Sequence, residues 1–64
     1  MLEIIRKRPC TAYEVALEAF AIGPDNRFQV MAATSETLAH LELLRLEGRA
    51  LRSETDGVVR YRAK

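Results

Sequence analysis

Between Glu36 and Lys64 the sequence changes abruptly from a helical pattern to an extended one. The leucine-rich segment ETLAHLELLRLEGRA reaches Gly48, and glycine commonly supplies the left-handed residue that closes a helix. Two short segments that alternate apolar and charged residues follow, and Asp56-Gly57 between them is typical of a tight hairpin turn. A long helix closed by glycine and followed directly by a hairpin predicts an α+β fold, the winged helix-turn-helix.

Two shorter helices are predicted upstream. Leu2 and Ile5 fit the last two turns of an amphipathic helix that ends before Pro9. No capping residue precedes this helix, so we expect that the native chain extends upstream of Met1 and that residues 1–64 form a single domain excised from a larger chain.

A capping box of the form T-x-x-E, made by Thr11 and Glu14, predicts the start of a second helix over residues 12–20. The segment Gly23-Pro24-Asp25-Asn26 then predicts a turn. From about Arg27 to Glu47 a third helix is predicted, either continuous or divided near residues 34–36, where SETL could cap a separate helix. The expected architecture is about three helices followed by a two-stranded β-hairpin wing.

The third helix carries two apolar stripes. At 100° per residue, one side is expected to face the core, and it comprises Val30, Thr34, Thr37, Leu38, Leu41 and Leu44. The other side comprises Ala32, Ser35, Ala39, Leu43 and Leu46. A small domain normally buries one stripe, so the second predicts contact with another element, domain or copy of the chain. The alternative is that Leu46 packs under the hairpin and Leu43 is a single exposed leucine.

Within the hairpin, the alternation predicts one apolar face and one cationic face. The apolar face is expected to contain Leu51, Val59 and Tyr61, and the cationic face Arg52, Arg60 and Arg62.

Length and composition limit the classes of function. A chain of 64 residues is one small domain of marginal stability, and its net charge of +1 gives nucleic-acid binding no general support. Its longest apolar runs are too short to span a bilayer, and no secretory signal is evident, so a cytoplasmic protein without membrane contact is expected.

No group of residues suits catalysis or metal binding. Cys10 and His40 are the only cysteine and histidine, and thirty positions separate them, so neither a zinc site nor a thiol–imidazole pair is predicted. Phosphate-binding glycine loops are also absent from the sequence. We expect no catalytic residue, no metal ligand and no cofactor in this chain. The role of His40 stays open, with a solvated or interface histidine favoured over a base.

Nucleic-acid contact is a separate possibility, because winged helices often read DNA with the last helix and the wing. The third helix carries a net charge of −1, which suits phosphate contact poorly, whereas residues 48–64 carry a net charge of +3. The candidate contact residues are Arg49, Arg52, Arg60, Arg62 and Lys64. The competing interpretation, which we favour, is that these arginines only keep the open face of the hairpin polar and exposed to water, without binding a ligand.

The segment TLAHLELLRLEGRA and the terminal VVRYRAK resemble the C-terminal winged-helix domain of metallo-β-lactamase-fold hydrolases, the group that includes the mammalian β-lactamase-like endoribonuclease. RPCTAYEVALEAF resembles the entry into that domain, and the resemblance covers roughly residues 5–63. Its most specific part is A-H-L-x-x-L-x-x-x-G-R at residues 39–49, a pattern that also occurs in bacterial winged-helix repressors.

The resemblance implies that catalysis belongs to a preceding hydrolase domain, with zinc bound there through H-x-H-x-D-H, a motif that this sequence lacks. The chain would then be a non-catalytic accessory domain that packs on the catalytic domain and helps to shape the substrate entrance. Ala39, Leu43 and Leu46 are the candidate packing residues. The alternative is a DNA-binding winged-helix transcriptional regulator that uses the third helix with Arg52, Arg60 and Arg62.

Overall fold

The computed structural model describes residues 1–23 and 25–64. It contains three helices and a hairpin, in the order α1 (Leu2–Lys7), α2 (Ala12–Phe20), α3 (Arg27–Leu46), β1 (Ala50–Thr55) and β2 (Val58–Ala63). Three helices followed by an antiparallel two-stranded hairpin form an α+β fold that is consistent with a winged-helix arrangement, as the sequence predicts.

The predicted capping box sets the start of α2. The hydroxyl of Thr11 accepts a hydrogen bond from the Glu14 N–H at 3.1 Å, and the Thr11 N–H donates to the Glu14 carboxylate at 2.8 Å. These two bonds satisfy backbone groups that a helix start would otherwise leave unpaired. The helix ends at Phe20 because Ala21 adopts a left-handed conformation with φ of 51°. In the turn predicted next, Pro24 lies outside the described residues, while the Asn26 N–H donates to the Gly23 carbonyl at 3.2 Å.

The third helix is continuous over Arg27–Leu46, so the alternative of two helices meeting near residues 34–36 is wrong. The Asn26 side chain caps its start by accepting from the Gln29 N–H at 3.4 Å. Its end is set at Gly48, which takes the positive φ of 77° that the sequence predicts. From there the Arg49 N–H donates to the Leu44 carbonyl at 2.8 Å, which directs the chain into the hairpin.

The hairpin turns at Asp56-Gly57, where φ is 53° and 77°, as expected for a two-residue turn. This turn fixes the register, in which Leu51 pairs with Arg62 and Arg52 with Tyr61. Paired residues point to the same face of a sheet, so the predicted placement of Leu51 beside Tyr61 is wrong. Leu51 lies on the open face with Arg62, and Arg52 lies on the helix-facing side with Tyr61. The prediction assumed alternation within each strand but not the offset that the turn imposes between them.

A single residue extends the sheet on the outer edge of β2. The Cys10 N–H donates to the Tyr61 carbonyl at 2.9 Å, and the Tyr61 N–H donates to the Cys10 carbonyl at 2.7 Å. This antiparallel bridge joins the segment between α1 and α2 to the centre of β2. It therefore ties the hairpin to the helical part of the fold.

The core lies where all five elements meet. Its fully buried members are Ile5, Cys10, Val15, Leu41, Ala50 and Tyr61. From the predicted stripe of α3, Thr37 and Leu41 are buried and Val30, Thr34 and Leu44 are half-buried. Leu38 was expected in the core and is 43% exposed. Successive helical residues point about 100° apart, so Leu38 cannot share the direction of Thr37, and Ala33 occupies the core position instead.

Candidate functional site

The side chains with the greatest chemical reactivity lie apart from one another. Cys10 is buried in the core, and its thiol donates to the Arg8 carbonyl at 3.3 Å. Burial raises the pKa of this thiol above its usual value, which disfavours the reactive thiolate. His40 is exposed on α3. Within residues 1–23 and 25–64, no three histidine, cysteine or acidic side chains converge in a way that could hold a metal ion.

A polar network joins α3 to β2. The carboxylate of Glu42 accepts hydrogen bonds from the Tyr61 hydroxyl and from Arg45, whose Nη2 lies 2.9 Å and whose Nε lies 3.2 Å away. Hydrogen bonds from Arg45, and then from Tyr61, lower the pKa of the Glu42 carboxyl to about 2. Burial, followed by the bond to Glu42, raises the pKa of the Tyr61 phenol. Near neutral pH the Glu42 carboxyl therefore stays ionised and the Tyr61 phenol stays protonated. A hydrogen bond whose partners do not titrate in this range suits a structural connection between the helix and the wing.

The predicted packing residues Ala39, Leu43 and Leu46 share one exposed side of α3, which we call the leucine face. At 100° per residue their directions fall within about 60° of one another. Leu43 is 53% exposed and Leu46 is 73% exposed, so Leu46 is not packed under the hairpin.

The leucine face continues onto the first helix. Leu43 lines a shallow groove of about 310 Å³ together with Met1, Leu2, His40 and Leu44. The start of α1 and the leucine face therefore form one continuous surface, in which His40 is a rim residue.

A second apolar surface, which the sequence did not indicate, lies between α2 and α3. This α2–α3 groove has a volume of about 380 Å³ and is lined by Tyr13, Val30, Met31, Thr34, Ser35 and Leu38. Met31 is 69% exposed and the nearby Phe28 of α3 is 89% exposed. Leu38, which was wrongly predicted to lie in the core, lines this groove. Sequence periodicity could have found it only if the core side of α3 had been drawn to include Ala33 and to leave out Leu38, which points about 140° away from Ala33.

The predicted nucleic-acid residues divide into two groups. Arg60 and Arg62 project from the open face of the hairpin, where they pair across the strands with Ser53 and Leu51. Arg49, Arg52 and Lys64 gather at the base of the hairpin instead. All five side chains belong to exposed residues, but the structure does not bring them together into one surface.

At the hairpin base two adjoining concavities form what we call the hairpin-base groove. One, of about 410 Å³, is lined by Arg45, Gly48, Ala50, Leu51, Arg52 and Lys64. The other, of about 310 Å³, is lined by Leu2, Arg6, Gly48, Arg49, Ala63 and Lys64. Arg6 and Arg45 were not among the predicted contact residues, because nothing local in the sequence places α1 beside the end of the chain.

The fold thus defines a small α+β domain, consistent with a winged-helix arrangement, that presents surfaces for contact, and its described residues form no group of three histidine, cysteine or acidic side chains that could hold a metal ion. The chain matches the model of one protein family, described as metallo-beta-lactamase-like, C-terminal domain, over residues 1–64. It belongs to this family. Searches of curated proteins and of solved structures found no match.

Family membership confirms the resemblance drawn from residues 39–49 and shows that the domain is the C-terminal part of metallo-β-lactamase-like proteins. None of the helices in the described ranges combines the length and the apolar character needed to cross a bilayer.

Proposed function

We propose that this chain is a non-catalytic accessory domain of a metallo-β-lactamase-like hydrolase and packs on the catalytic domain of that enzyme through the leucine face. The observation that carries the proposal is the exposure of Leu43 and Leu46 on one side of α3, in a chain whose family is defined as a C-terminal domain. Burying a fully exposed leucine contributes about 1.5–3 kcal/mol, so covering the exposed parts of Leu43 and Leu46 contributes roughly 2–4 kcal/mol in total. That gain gives the exposed side a physical reason to be covered.

The position of the first helix supports the choice of this face. A domain that precedes this one in the polypeptide connects to it through the start of α1. Met1 and Leu2 lie in the same groove as Leu43 and Leu44. The connection therefore delivers the preceding domain to the side on which the leucine face is exposed, and short connections favour contact between neighbouring domains.

Zinc, which is implied for the parent hydrolase, does not fit the residues of this chain. The described part of the sequence offers no set of three ligating side chains, and Cys10 is enclosed in the core. The metal and the hydrolytic chemistry belong to the preceding domain in this proposal. The contribution of this chain is to pack beside that domain and help to shape the substrate entrance. A buried, unpaired thiol also suits the reducing environment of the cytoplasm, which we propose as its compartment.

The uncharged, largely apolar surface of the N-terminal half of α3 favours an accessory role over DNA reading. The N-terminal half of α3 would enter the major groove in a DNA-reading winged helix. From Phe28 to Ser35 it carries no charged residue, and Phe28 and Met31 are its most exposed large side chains. Phosphates are bound mainly by cationic groups, and this stretch of α3 offers only the neutral polar side chains of Gln29, Thr34 and Ser35.

The test uses the full-length protein with a protease site introduced between its two domains. In the variant Leu43→Glu/Leu46→Glu, the cleaved domains are expected to separate during size-exclusion chromatography, because docking would bury two carboxylates. The matched control is Phe28→Glu/Met31→Glu, which makes the same chemical change on another exposed apolar part of α3. Circular dichroism of each isolated domain checks that it stays folded. If the leucine variant stays associated after cleavage, the proposed packing face is wrong.

A further inference from the structure

The hairpin-base groove concentrates positive charge. Each of its two concavities is lined by three cationic side chains, and the two share Lys64. The set comprises Arg6, Arg45, Arg49, Arg52 and Lys64. No acidic residue is among those that line either concavity.

Overall composition does not account for this concentration. The chain has ten lysines and arginines against nine aspartates and glutamates, and half of those ten cations line this one groove. Like charges brought together repel one another, so the arrangement opposes folding unless a counter-charge relieves it. The arrangement joins α1, the end of α3, β1 and the last residue of the sequence.

Backbone and side-chain bonds hold several of these cations in place. The Lys64 N–H donates to the Arg49 carbonyl at 3.2 Å, and the Arg49 N–H donates to the Leu44 carbonyl at 2.8 Å. Glu42 fixes the guanidinium of Arg45 through hydrogen bonds of 2.9 and 3.2 Å. A ligand therefore meets groups whose backbone positions are already set, which lowers the entropic cost of binding.

Negative groups near the groove do not cancel its charge. Glu42 neutralises Arg45, and Glu47 lies 3.9 Å from Arg49 in an exposed pair. The C-terminal end of α3 adds roughly half an elementary negative charge. The 64-residue chain also carries the α-carboxylate of Lys64 in the groove, and against five cations these contributions leave an excess of roughly one and a half positive charges.

We propose that the hairpin-base groove binds an anionic ligand that carries at least two linked phosphate groups. Arginine guanidinium groups bind phosphate oxygens in a bidentate manner. Arg52 in one concavity and Arg6 and Arg49 in the other are available for such contacts beside the shared Lys64, whereas Arg45 is already bonded to Glu42. Lys64 lines both concavities and can therefore contact either phosphate of such a ligand. Two phosphates joined by one oxygen occur in a free diphosphate ester, and a more widely spaced pair, separated by a sugar, occurs in the backbone of a single-stranded nucleic acid. The site does not depend on the accessory role, because its five cationic residues lie outside the leucine face, although Leu2 borders both this groove and the groove beside Leu43.

The experiment measures binding of inorganic diphosphate, orthophosphate and a fluorescent single-stranded oligonucleotide to the chain at an ionic strength of about 0.15 M, where exposed charges more than about 8 Å apart are largely screened from one another. Isothermal titration is used for the first two ligands and fluorescence anisotropy for the third. Diphosphate is expected to bind in a saturable manner and at least about tenfold more tightly than orthophosphate, because its second phosphate adds negative charge and further contacts with the arginines around the shared Lys64.

Two variants with identical changes in net charge locate the site. Arg49→Gln/Lys64→Gln is expected to weaken diphosphate binding about tenfold or more. Arg60→Gln/Arg62→Gln alters the open face of the hairpin and is expected to change it by less than about twofold, because salt screens distant exposed charges. Circular dichroism confirms that both variants fold. If the two variants weaken binding equally, only general electrostatic attraction is present and the site is disproved.

The oligonucleotide distinguishes the two sources of the ligand. One outcome is that diphosphate displaces the oligonucleotide and that the variant Arg49→Gln/Lys64→Gln loses oligonucleotide binding. These two results together would support the site and extend it to a nucleic-acid backbone. Diphosphate binding without oligonucleotide binding would support the site for a small phosphorylated ligand. An oligonucleotide that binds while diphosphate neither binds nor competes would contradict the proposal, as would the absence of any diphosphate binding.

Discussion

The hydroxyl of Tyr61 in β2 donates a hydrogen bond to the carboxylate of Glu42 in α3, which lies nineteen positions earlier in the chain. The same carboxylate accepts two hydrogen bonds from the guanidinium Nε and Nη2 of Arg45. The ring of Tyr61 is 1% exposed in the core, and its backbone pairs with Cys10. One residue therefore connects the wing to the long helix, to the core and to the segment between α1 and α2.

Replacing Tyr61 by phenylalanine tests the contribution of its hydroxyl. The ring stays in the core, and Glu42 keeps its bonds to Arg45, so we expect a loss of about 1 kcal/mol in the free energy of unfolding. Urea denaturation followed by circular dichroism measures it. Tyr13→Phe is the control, because the Tyr13 side chain is 44% exposed and its variant should stay near the original stability. Equal effects of the two substitutions would contradict the role of the Tyr61 hydroxyl.

The Glu42–Tyr61 pair predicts a loss of stability at both ends of the pH range. Bonds from Arg45 and Tyr61 lower the pKa of Glu42 from 4.5 to about 2 on folding, so its contribution is complete above pH 4.5 and is lost as the pH falls toward 2. The pKa of Tyr61 is raised above its ordinary value of 10, mainly by burial. Its contribution is complete below pH 10 and is lost as the pH rises through the folded-state pKa.

Thermal unfolding between pH 2 and pH 11 checks both limbs of this profile. In Glu42→Gln the acid limb should become shallower. It should not vanish, because the bond with the Thr11 backbone also lowers the pKa of the Glu14 carboxyl. Glu36→Gln, which removes an exposed carboxylate from the same helix, is the matched control. An acid limb that flattens as much in the control as in Glu42→Gln would show that Glu42 has no special part in it.

Replacing Thr37 by valine is expected to stabilise the domain. The Thr37 side chain is fully buried, and its hydroxyl has no hydrogen-bond partner among the described residues. Removing an unsatisfied buried hydroxyl while keeping the shape of the side chain should raise the free energy of unfolding by about 1 kcal/mol. Thr37→Ser keeps the hydroxyl and loses the methyl group, so it should destabilise by about 1 kcal/mol. Denaturant titrations that show a loss for valine would mean that the hydroxyl is satisfied in solution.

The backbone at Gly48 offers a test of the helix end. Its φ is 77°, and a β-carbon built there would meet no atom within 4 Å, so only backbone strain opposes a side chain. Gly48→Ala should lower the free energy of unfolding by about 1–2 kcal/mol. D-Alanine introduced by chemical synthesis adopts positive φ without strain and should stabilise by about 0.4–1 kcal/mol, because it restricts the unfolded chain. If both enantiomers shift the thermal midpoint in the same direction, the left-handed closure is not what Gly48 provides.

The boundaries of the elements could be predicted because local chemistry sets them. Thr11 and Glu14 define the start of α2, Gly48 closes α3, and Asp56-Gly57 turns the hairpin, each through bonds or dihedral angles within a few residues. The faces of the hairpin were harder to predict. They depend on the pairing of Leu51 with Arg62, which follows from the turn and not from the pattern within either strand.

The surfaces depend on contacts between distant parts of the chain, which a sequence pattern does not encode. The exposed leucines of α3 were recognised because helical periodicity places Ala39, Leu43 and Leu46 on one side. The sequence did not predict the hairpin-base groove, because the groove requires Arg6, near the start of the chain, to lie beside Lys64 at its end. The bridge between Cys10 and Tyr61 was missed for a similar reason, since one bridging residue gives no alternating pattern.

Whether this domain works as the C-terminal part of a larger hydrolase is tested most directly by the mass of the polypeptide in its source cells. An antibody raised against residues 1–64 is used to blot a denatured lysate. We expect a band several times heavier than the 7.2 kDa of this chain. A single band at 7.2 kDa would contradict this expectation, because the domain would then work without a covalently attached catalytic partner.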